Sequence, residues 1–377
     1  MQVEITDDLS TVDSFEWDAL CGHNDPFIEH AFLSALEQSG SVGAETGWSP
    51  CHVLVREGSS LVGAMPLYTK DHSYGEYIFD WAWANGSHRM GIPYYPKLVS
   101  SVPFTPATGR RLLVAPGRSS EPIMEALLQG LSSVAAAVGA SSAHVLFHTP
   151  EEKAALDAAG FLPRRTFQFH WVNQGYASFD AYLASFRARE RRKVRKERRE
   201  ATASNLTLRT YTGAELQEAQ WEALYHFYRD TTARKGAIPY LSEGFFALLR
   251  GELRKRVLVM MAEDGGRPVA GALFFHKDAH LYGRYWGCLE AYDKLHFELC
   301  YYRPLAHCIE NNWARFEAGA QGVHKLKRGF LPSFTYSGHW IANAHLRAAI
   351  ADFLPQEDRA IYTEMEALLQ HRPFRRG

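Results

Sequence analysis

The sequence predicts a mixed α/β protein of two tandem lobes, and three observations carry that reading. At 377 residues the chain exceeds what one hydrophobic core usually supports, and a prior of roughly 150 residues per domain gives two. Apolar residues make up 46% and charged residues 22%, the balance of a globular chain rather than a disordered one. One order of elements, antiparallel strands followed by a helix, a strand and more strand, occurs twice. The expected halves are residues 1–173 and 174–377.

In the first half, CHVLVREG (51–58) and LVGAMPLYTK (61–70) are two β-type runs joined at Gly58–Ser60. YIFDWAWANG (77–86) is aromatic and reads as a third strand, with Trp81 and Trp83 on one face. A Pro-rich stretch spans 92–117. In SEPIMEALLQGLSSVAAAVG (120–139), Ile123, Leu127, Leu131 and Val134 fall at helical spacing. AHVLFHTP (143–150) is a buried strand. EEKAALDAAGF (151–161) opens on acids and ends near a glycine, which is helix punctuation. RRTFQFHWVN (164–173) closes the half as a strand.

A turn-rich linker, QGYASFD (174–180), leads into a long helix at 181–201, with Asp180 as the expected N-cap. RVLVMMAEDGGRPVAGALFFHKDAHLYGRYWGC (256–288) reads as three strands. HFELCYYRPLAHCIENNWARF (296–316) is helical, with Pro304 expected to bend the helix or delay its start. FEAGAQG (316–322) is a short strand, and HKLKRGFLPSFTYSGHWI (324–341) resembles a hairpin.

Composition excludes several classes. A net charge of -1 gives no bulk affinity for polyanions, so any such contact needs a local patch. The five cysteines are scattered and never in CxxC spacing, which argues against a disulfide framework or a zinc site. His296/His307 and His324/His339 lack ligand-like companions, so no metal is expected. The opening residues are acidic and no stretch reaches the roughly 18 apolar residues of a membrane span. A cytoplasmic location is expected.

The helix AYLASFRARERRKVRKERREA (181–201) supplies the local patch. Arg187, Arg191, Arg195 and Arg199 recur every four residues, with Arg192 among the cations between them, and only Glu190, Glu197 and Glu200 offset them. Such a stripe suits phosphates. A solvated helix laced with Glu–Arg pairs accounts for part of the pattern.

The two-lobed acetyltransferase-type order with a basic helix opening the second lobe resembles the Fem family of peptidyl and aminoacyl transferases. YYPKLVSSVPFTPATGRRLL (94–113), LHFELCYYRPLAHCIE (295–310) and FEAGAQGVHKLKRGFLPSFTYSGHWI (316–341) resemble a bacterial Fem-like family of predicted N-acyltransferases, also described as peptidoglycan biosynthesis or recognition proteins. The resemblance spans nearly the whole chain. It implies two tandem GNAT-like domains and transfer of an aminoacyl or acyl group to an amine, in a cleft between the lobes. A glycine-rich coenzyme A loop of Q/R-x-x-G-x-G/A type is missing: the positions before 296 read CLEAYDKL. That departure points to charged tRNA ahead of acyl-CoA as donor, with no tightly bound cofactor. A non-catalytic glycan- or RNA-binding module is the reading from another class.

The chemistry sets the candidate residues. An amine acceptor must lose a proton, and attack on an ester or thioester builds an oxyanion that needs fixed N–H donors. Gly283 and Gly287 permit a bulge in the strand 281–288, which faces 316–320, and Arg284 between them suits a phosphate or carboxylate. Glu298 is the leading general-base candidate and His296 its alternate. The same position lets Glu298 serve as simple helix-dipole complementation. Cys300 reads as a packed thiol. Gln321, His324, Lys325, Arg328 and Tyr336 are the substrate-binding candidates of the second lobe. In the first lobe, Tyr94, Tyr95, Lys97, Phe104 and Thr105 lie in a proline-fixed aromatic loop suited to an acyl chain, sugar or base. The expected partners are a cell-wall-precursor or small-molecule amine, and tRNA.

Overall fold

The computed structural model describes residues 1–203, 205–320 and 322–375. Two compact units divide the chain: residues 1–167 with 334–364, and residues 168–333 with 365–377. The sequence expectation is a single cut at 173/174. The segment 334–364 departs from that simple cut, for a reason given by its strand pairing below.

The first unit opens with β1 (Gln2–Thr6), α1 (Ser14–Leu20) and α2 (His30–Gln38). Then come β2 (Trp48–Pro50), β3 (His52–Glu57), β4 (Ser60–Met65) and β5 (Tyr68–Lys70). The expected aromatic strand at 77–86 is instead α3 (Trp81–Arg89). Its rings do not alternate across a sheet. Trp83 is buried on the inner face of the helix while Trp81 is exposed, so tertiary packing overrides the strand preference of aromatic residues. The Pro-rich stretch holds β6 (Lys97–Ser100) and β7 (Leu113–Val114). α4 (Ser120–Val138), β8 (Ser142–His148) and α5 (Lys153–Ala158) follow the expected order, and β9 (Leu162–Val172) crosses the division between units.

Strands pair in the order β1-β3-β4-β7 in one sheet, and β2, β5, β6 and β8 are consecutive neighbours in another. β6 and β8 run parallel, joined by the α4 crossover. Ile123, Leu127, Leu131 and Val134 of α4 are buried against Val53, Val55 and Val145, which is why the 3.6-residue period was readable there.

The second unit begins with α6 (Phe179–Ala184) and α7 (Ala188–Thr202). The expected single helix is thus two. Ser178, not Asp180, caps the first, its side chain accepting from the Ala181 N–H at 3.0 Å. Phe186 causes the break by turning into a ring cluster with Tyr182 and Phe374, and it bridges to Phe374 through the backbone. β10 (Thr207–Thr212), α8 (Glu218–Arg234) and α9 (Glu243–Leu248) precede the meander β11 (Val257–Asp264), β12 (Arg267–Lys277) and β13 (His280–Cys288). α8 lies across this meander so closely that a Cβ at Gly287 would stand 2.1 Å from the Phe227 carbonyl oxygen. Only glycine fits there.

After β13 the chain forms α10 (Leu295–Phe297), a π turn (Glu298–Tyr302) and α11 (Arg303–Glu310), then β14 (Arg315–Glu317). Pro304 does not delay the helix. The wide turn before it, closed by the Arg303 N–H on the Glu298 carbonyl, absorbs the missing donor. β14 pairs parallel with β13 and antiparallel with β9.

The expected hairpin at 324–341 is a 3-10 turn (Val323–Arg328) followed by one long strand, β15 (Leu331–Ile341). From Tyr336 to Ile341, β15 pairs antiparallel with β8, and this returns 334–364 to the first unit. α12 (Ala344–Gln370) follows it, held to the first unit by Arg164–Glu357 and Arg165–Asp358 pairs at 2.7 and 2.5 Å.

Facing one another across β8 and β15 are His144 and His339, with Nδ1 atoms 2.7 Å apart and outer nitrogens on Ser142 and Ser337. Burial holds both imidazoles, and that of His170 in the second unit, well below the ordinary histidine range. The folded chain therefore binds fewer protons than the unfolded chain once pH falls below about 6.5, and stability drops with pH from there. The urea midpoint should be lower at pH 5 than at pH 7.5. Equal midpoints would contradict the neutral pair.

Candidate active site

The parallel strands β13 and β14 pair over three residues only, from His280↔Arg315 to Tyr282↔Glu317. β14 then ends while β13 continues to Cys288. The expected bulge is present. The β12–β13 register steps from Leu273↔Tyr285 to Phe274↔Gly283, which sets Arg284 outside the ladder. Ligands of open α/β sheets gather at such C-terminal strand ends.

Side chains from three segments converge beyond this end. The His296 ring lies 5.2 Å from Trp286, 5.5 Å from Tyr301 and 6.3 Å from His324. His324 Nε2 is 2.9 Å from the Tyr301 hydroxyl. Lys325, 2% exposed, donates from Nζ to the Gly319 carbonyl at 2.7 Å. A Cβ on Gly319 would in turn lie 3.7 Å from the Gly283 carbonyl oxygen, so the lysine is tied to the point where the strands part.

Electrostatics here favour neutral groups. Burial lowers the Lys325 ammonium to about 8, only partly offset by Cys300. Burial, then the neighbouring His324 and Arg328, brings His296 down to about 4. His324 is lowered by burial and by Arg328 and Lys325. The Cys300 thiol is pushed well up by burial, which suits packing rather than nucleophilic attack.

Glu298 faces elsewhere. Its two oxygens accept from Arg198 Nε and Nη2 at 3.0 and 2.9 Å, and the Arg198 guanidinium stacks over Phe179 at 4.5 Å. A bidentate guanidinium occupies the lone pairs that a base would use. Arg328, 4% exposed, lies over Phe297 at 3.5 Å and donates to Glu197 at 2.8 Å and to the His324 carbonyl at 2.8 Å. The Tyr302 hydroxyl also donates to Glu197. Arg328 thus shapes the turn that carries Lys325. At Gly329, the next residue, a Cβ would strike the Tyr182 hydroxyl at 1.9 Å, and φ is +87°, so the turn tolerates glycine alone.

The two ion pairs Arg198–Glu298 and Glu197–Arg328 dock α7 against the π turn and the 3-10 turn. Val194, Glu197 and Ala201 form its buried face. Arg192, Arg195 and Arg199 are exposed together on the other side, Arg187 is exposed at the N-cap, and Arg191 is half-buried.

The remaining candidates are dispersed. Arg284 is half-buried with its guanidinium 5.2 Å from the Tyr285 ring. Tyr336 lies on β15 beside His148, in the first unit, and shares no hairpin with Lys325. Gln321 falls outside the described residues. In the first unit the aromatic loop faces inward. Lys97 has no exposure and donates to Ser73 at 2.8 Å, Glu76 at 2.9 Å and Asp80 at 2.5 Å. Tyr94 donates to Asp80 at 2.7 Å, and the half-buried Tyr95 shares a 2.9 Å bond with Ser73. Phe104 packs edge-on against Trp48, and Thr105 bonds the Pro103 carbonyl. These are core contacts, so the surface expected for an acyl chain or sugar is not formed by Tyr94, Phe104 and Thr105, all at most 5% exposed. Among the described residues no group of three or more His, Cys, Asp or Glu stands close enough to hold a metal ion. None of the described helices is long and apolar enough to cross a membrane.

A mixed α/β chain with a parallel pair and helical crossover in each unit is a tandem GNAT-type fold. Solved structures agree. FemX matches with a TM-score of 0.55 and 13% identity, over 93% of this chain and 100% of its own. The C-terminal domain of a putative lysylphosphatidylglycerol synthetase from Agrobacterium fabrum gives 0.55 and 11%, over 92% and 96%. L-PGS from Bacillus licheniformis gives 0.52 and 10%, over 94% and 99%. The chain belongs to the FemAB-like family, described as peptidoglycan biosynthesis/recognition, whose model matches residues 8–376. No curated protein matches the sequence.

Proposed function

We propose that the protein is an N-acyltransferase that moves an aminoacyl group from charged tRNA to an amine of a cell-wall precursor or small metabolite. The observation that carries this reading is the docking of the basic helix onto the candidate site. Two ion pairs hold α7 to the π turn directly after α10, which bears His296, and to the 3-10 turn that bears Lys325, so a polyanion bound along Arg192, Arg195 and Arg199 has a fixed relation to those groups.

The acceptor amine must be neutral to attack. An ammonium of lysine-like pKa costs on the order of 4–5 kcal/mol to neutralise at pH 7. Lys325, lowered to about 8, is better matched to that proton than His296 at about 4. Attack on the ester carbonyl places negative charge on oxygen. Backbone N–H groups along β13, beyond the end of β14, supply fixed donors for it. The proton moves from the amine to Lys325, and the tRNA hydroxyl leaves with a proton returned from the same side chain.

The test offers the full chain labelled aminoacyl-tRNA or labelled acetyl-CoA, with a nucleotide-linked muropeptide and small amines as acceptors. Label should pass from tRNA into an acid-stable amide, and ribonuclease treatment should abolish it. Transfer from the thioester alone would overturn the donor. Binding without transfer from either would make the protein a recognition module.

A further inference from the structure

A cavity of about 330 Å³ opens in the second unit, apart from the His296–Lys325 cluster. Arg187, Arg189 and Glu190 line it from the start of α7, Val323, Leu326 and Lys327 from the 3-10 turn, and Leu368 and His371 from the end of α12. We infer that this cavity is a binding subsite for a phosphorylated nucleoside, a deeper reading of the proposed function that places one nucleotide of the donor there.

Charge and shape both support this ligand class. Three cations face one carboxylate, with His371 beside them. Arg187 and Arg189 come from the start of α7 and Lys327 from the 3-10 turn, so the fold adds a third cation to a pair two residues apart in sequence. Among the described residues neither Arg189 nor Lys327 has an acidic partner, unlike Arg195, which lies 3.3 Å from Asp180. Arg187 is held in place: its N–H donates to the Pro373 carbonyl at 2.9 Å and its Nη2 to the Arg372 carbonyl at 2.7 Å. The first turn of α7 has no side-chain cap, so its N–H groups add to the positive field. The rest of the wall is apolar. Leu326 is buried beneath it and Val323 is 59% exposed at its rim, a surface for a sugar or base beside the phosphate. The volume sits at the low end of small-molecule sites, the scale of one nucleotide rather than a whole cofactor.

A phosphorylated nucleoside occurs in both tRNA and coenzyme A, so the test separates them. Adenosine 3′,5′-bisphosphate is titrated into the full chain by calorimetry, and into the variants Arg189→Glu/Lys327→Glu and Arg195→Glu/Lys196→Glu. Each pocket cation lost should weaken binding about tenfold, on the order of a hundredfold for the pair. The second variant carries the same charge change on the open face of α7 and should leave this small probe's affinity unchanged. Displacement of the probe by uncharged tRNA supports the subsite and the proposed donor together. Displacement by coenzyme A alone keeps the subsite and sinks the tRNA donor. No saturable binding, equal weakening in both variants, an unaffected pocket variant, or displacement by neither competitor would overturn the subsite.

Discussion

Replacing Lys97 with methionine should cost about 3–5 kcal/mol of stability, the penalty for removing one partner of a buried ion pair. The Lys97 ammonium is the hub of a network buried from solvent. Glu76, Asp80 and Ser73 all accept from it, and Glu76 and Asp80 are 4% and 3% exposed. Burial alone would raise both carboxyls. At Asp80 the lysine wins and holds the group below the usual carboxylate range, whereas at Glu76 burial wins over Lys97 and Lys70. Without Lys97 the nearest cation to Glu76 is Lys70, 3.1 Å away, whose own ammonium burial has lowered to about 8. Two carboxylates would then share one weak counter-charge, and both would take up protons more readily in the folded state than in the unfolded state. The destabilisation should therefore be largest above pH 7 and shrink as pH falls toward 5. Urea denaturation of the variant at the two pH values checks both size and sign. The triple variant Lys97→Met/Glu76→Gln/Asp80→Asn should recover part of the loss, since a buried pair is less costly to replace whole than to halve. A loss below about 1 kcal/mol, with affinity for a ligand reduced instead, would return Lys97 to the role of a substrate contact.

Lys97 also shows where sequence reasoning ends. The loop around it reads as rigid and aromatic, and it is both, but rigidity says nothing about which way a side chain points. The partners that claim Lys97, Ser73, Glu76 and Asp80, lie 24, 21 and 17 residues upstream, and proximity across β5 and β6 is a tertiary fact. Local patterns were legible where burial is one-sided, as in α4, and where it is complete on both faces, as in the continuous apolar runs of β11 and β12. They misled where rings crowd together. Trp81 and Trp83 alternate like strand residues, yet they sit on a helix with one ring out and one in. The basic helix was legible as a charge pattern, but its break at 185–187 depends on Phe374 from the far end of the chain. In the candidate site, His296 is nameable from its place at the head of the helix after β13, and His324 and Lys325 from a crowded, aperiodic, Gly-rich passage. Glu298 was nameable too, but its partner Arg198 is a hundred positions away, and no spacing rule reaches that far.

The separation of Lys325 from Glu298 leads to the second large effect. Lys325→Met should lower kcat/KM by about 10²–10⁴-fold, the usual contribution of a positioned acid or base, while the chain stays folded. The wild-type rate should climb as pH rises through about 8, because Lys325 must be unprotonated to accept the amine proton, and the variant should lose that limb. Folding itself points the same way: an ammonium lowered by burial is a cost that disappears as pH rises from about 8 toward the unfolded lysine value, so removing it should not destabilise the protein at pH 7. Glu298→Gln should behave differently. It leaves Arg198 without its bidentate partner and loosens α7 from the π turn, so stability and tRNA affinity fall while the pH limb of the residual activity stays in place. A pH limb that vanishes in Glu298→Gln and persists in Lys325→Met would reverse the assignment. The arrangement makes physical sense as a division of labour. A carboxylate gripped by a guanidinium is a strong anchor because its charge is fixed, and a buried lysine held by a backbone carbonyl is a usable base because its charge is not.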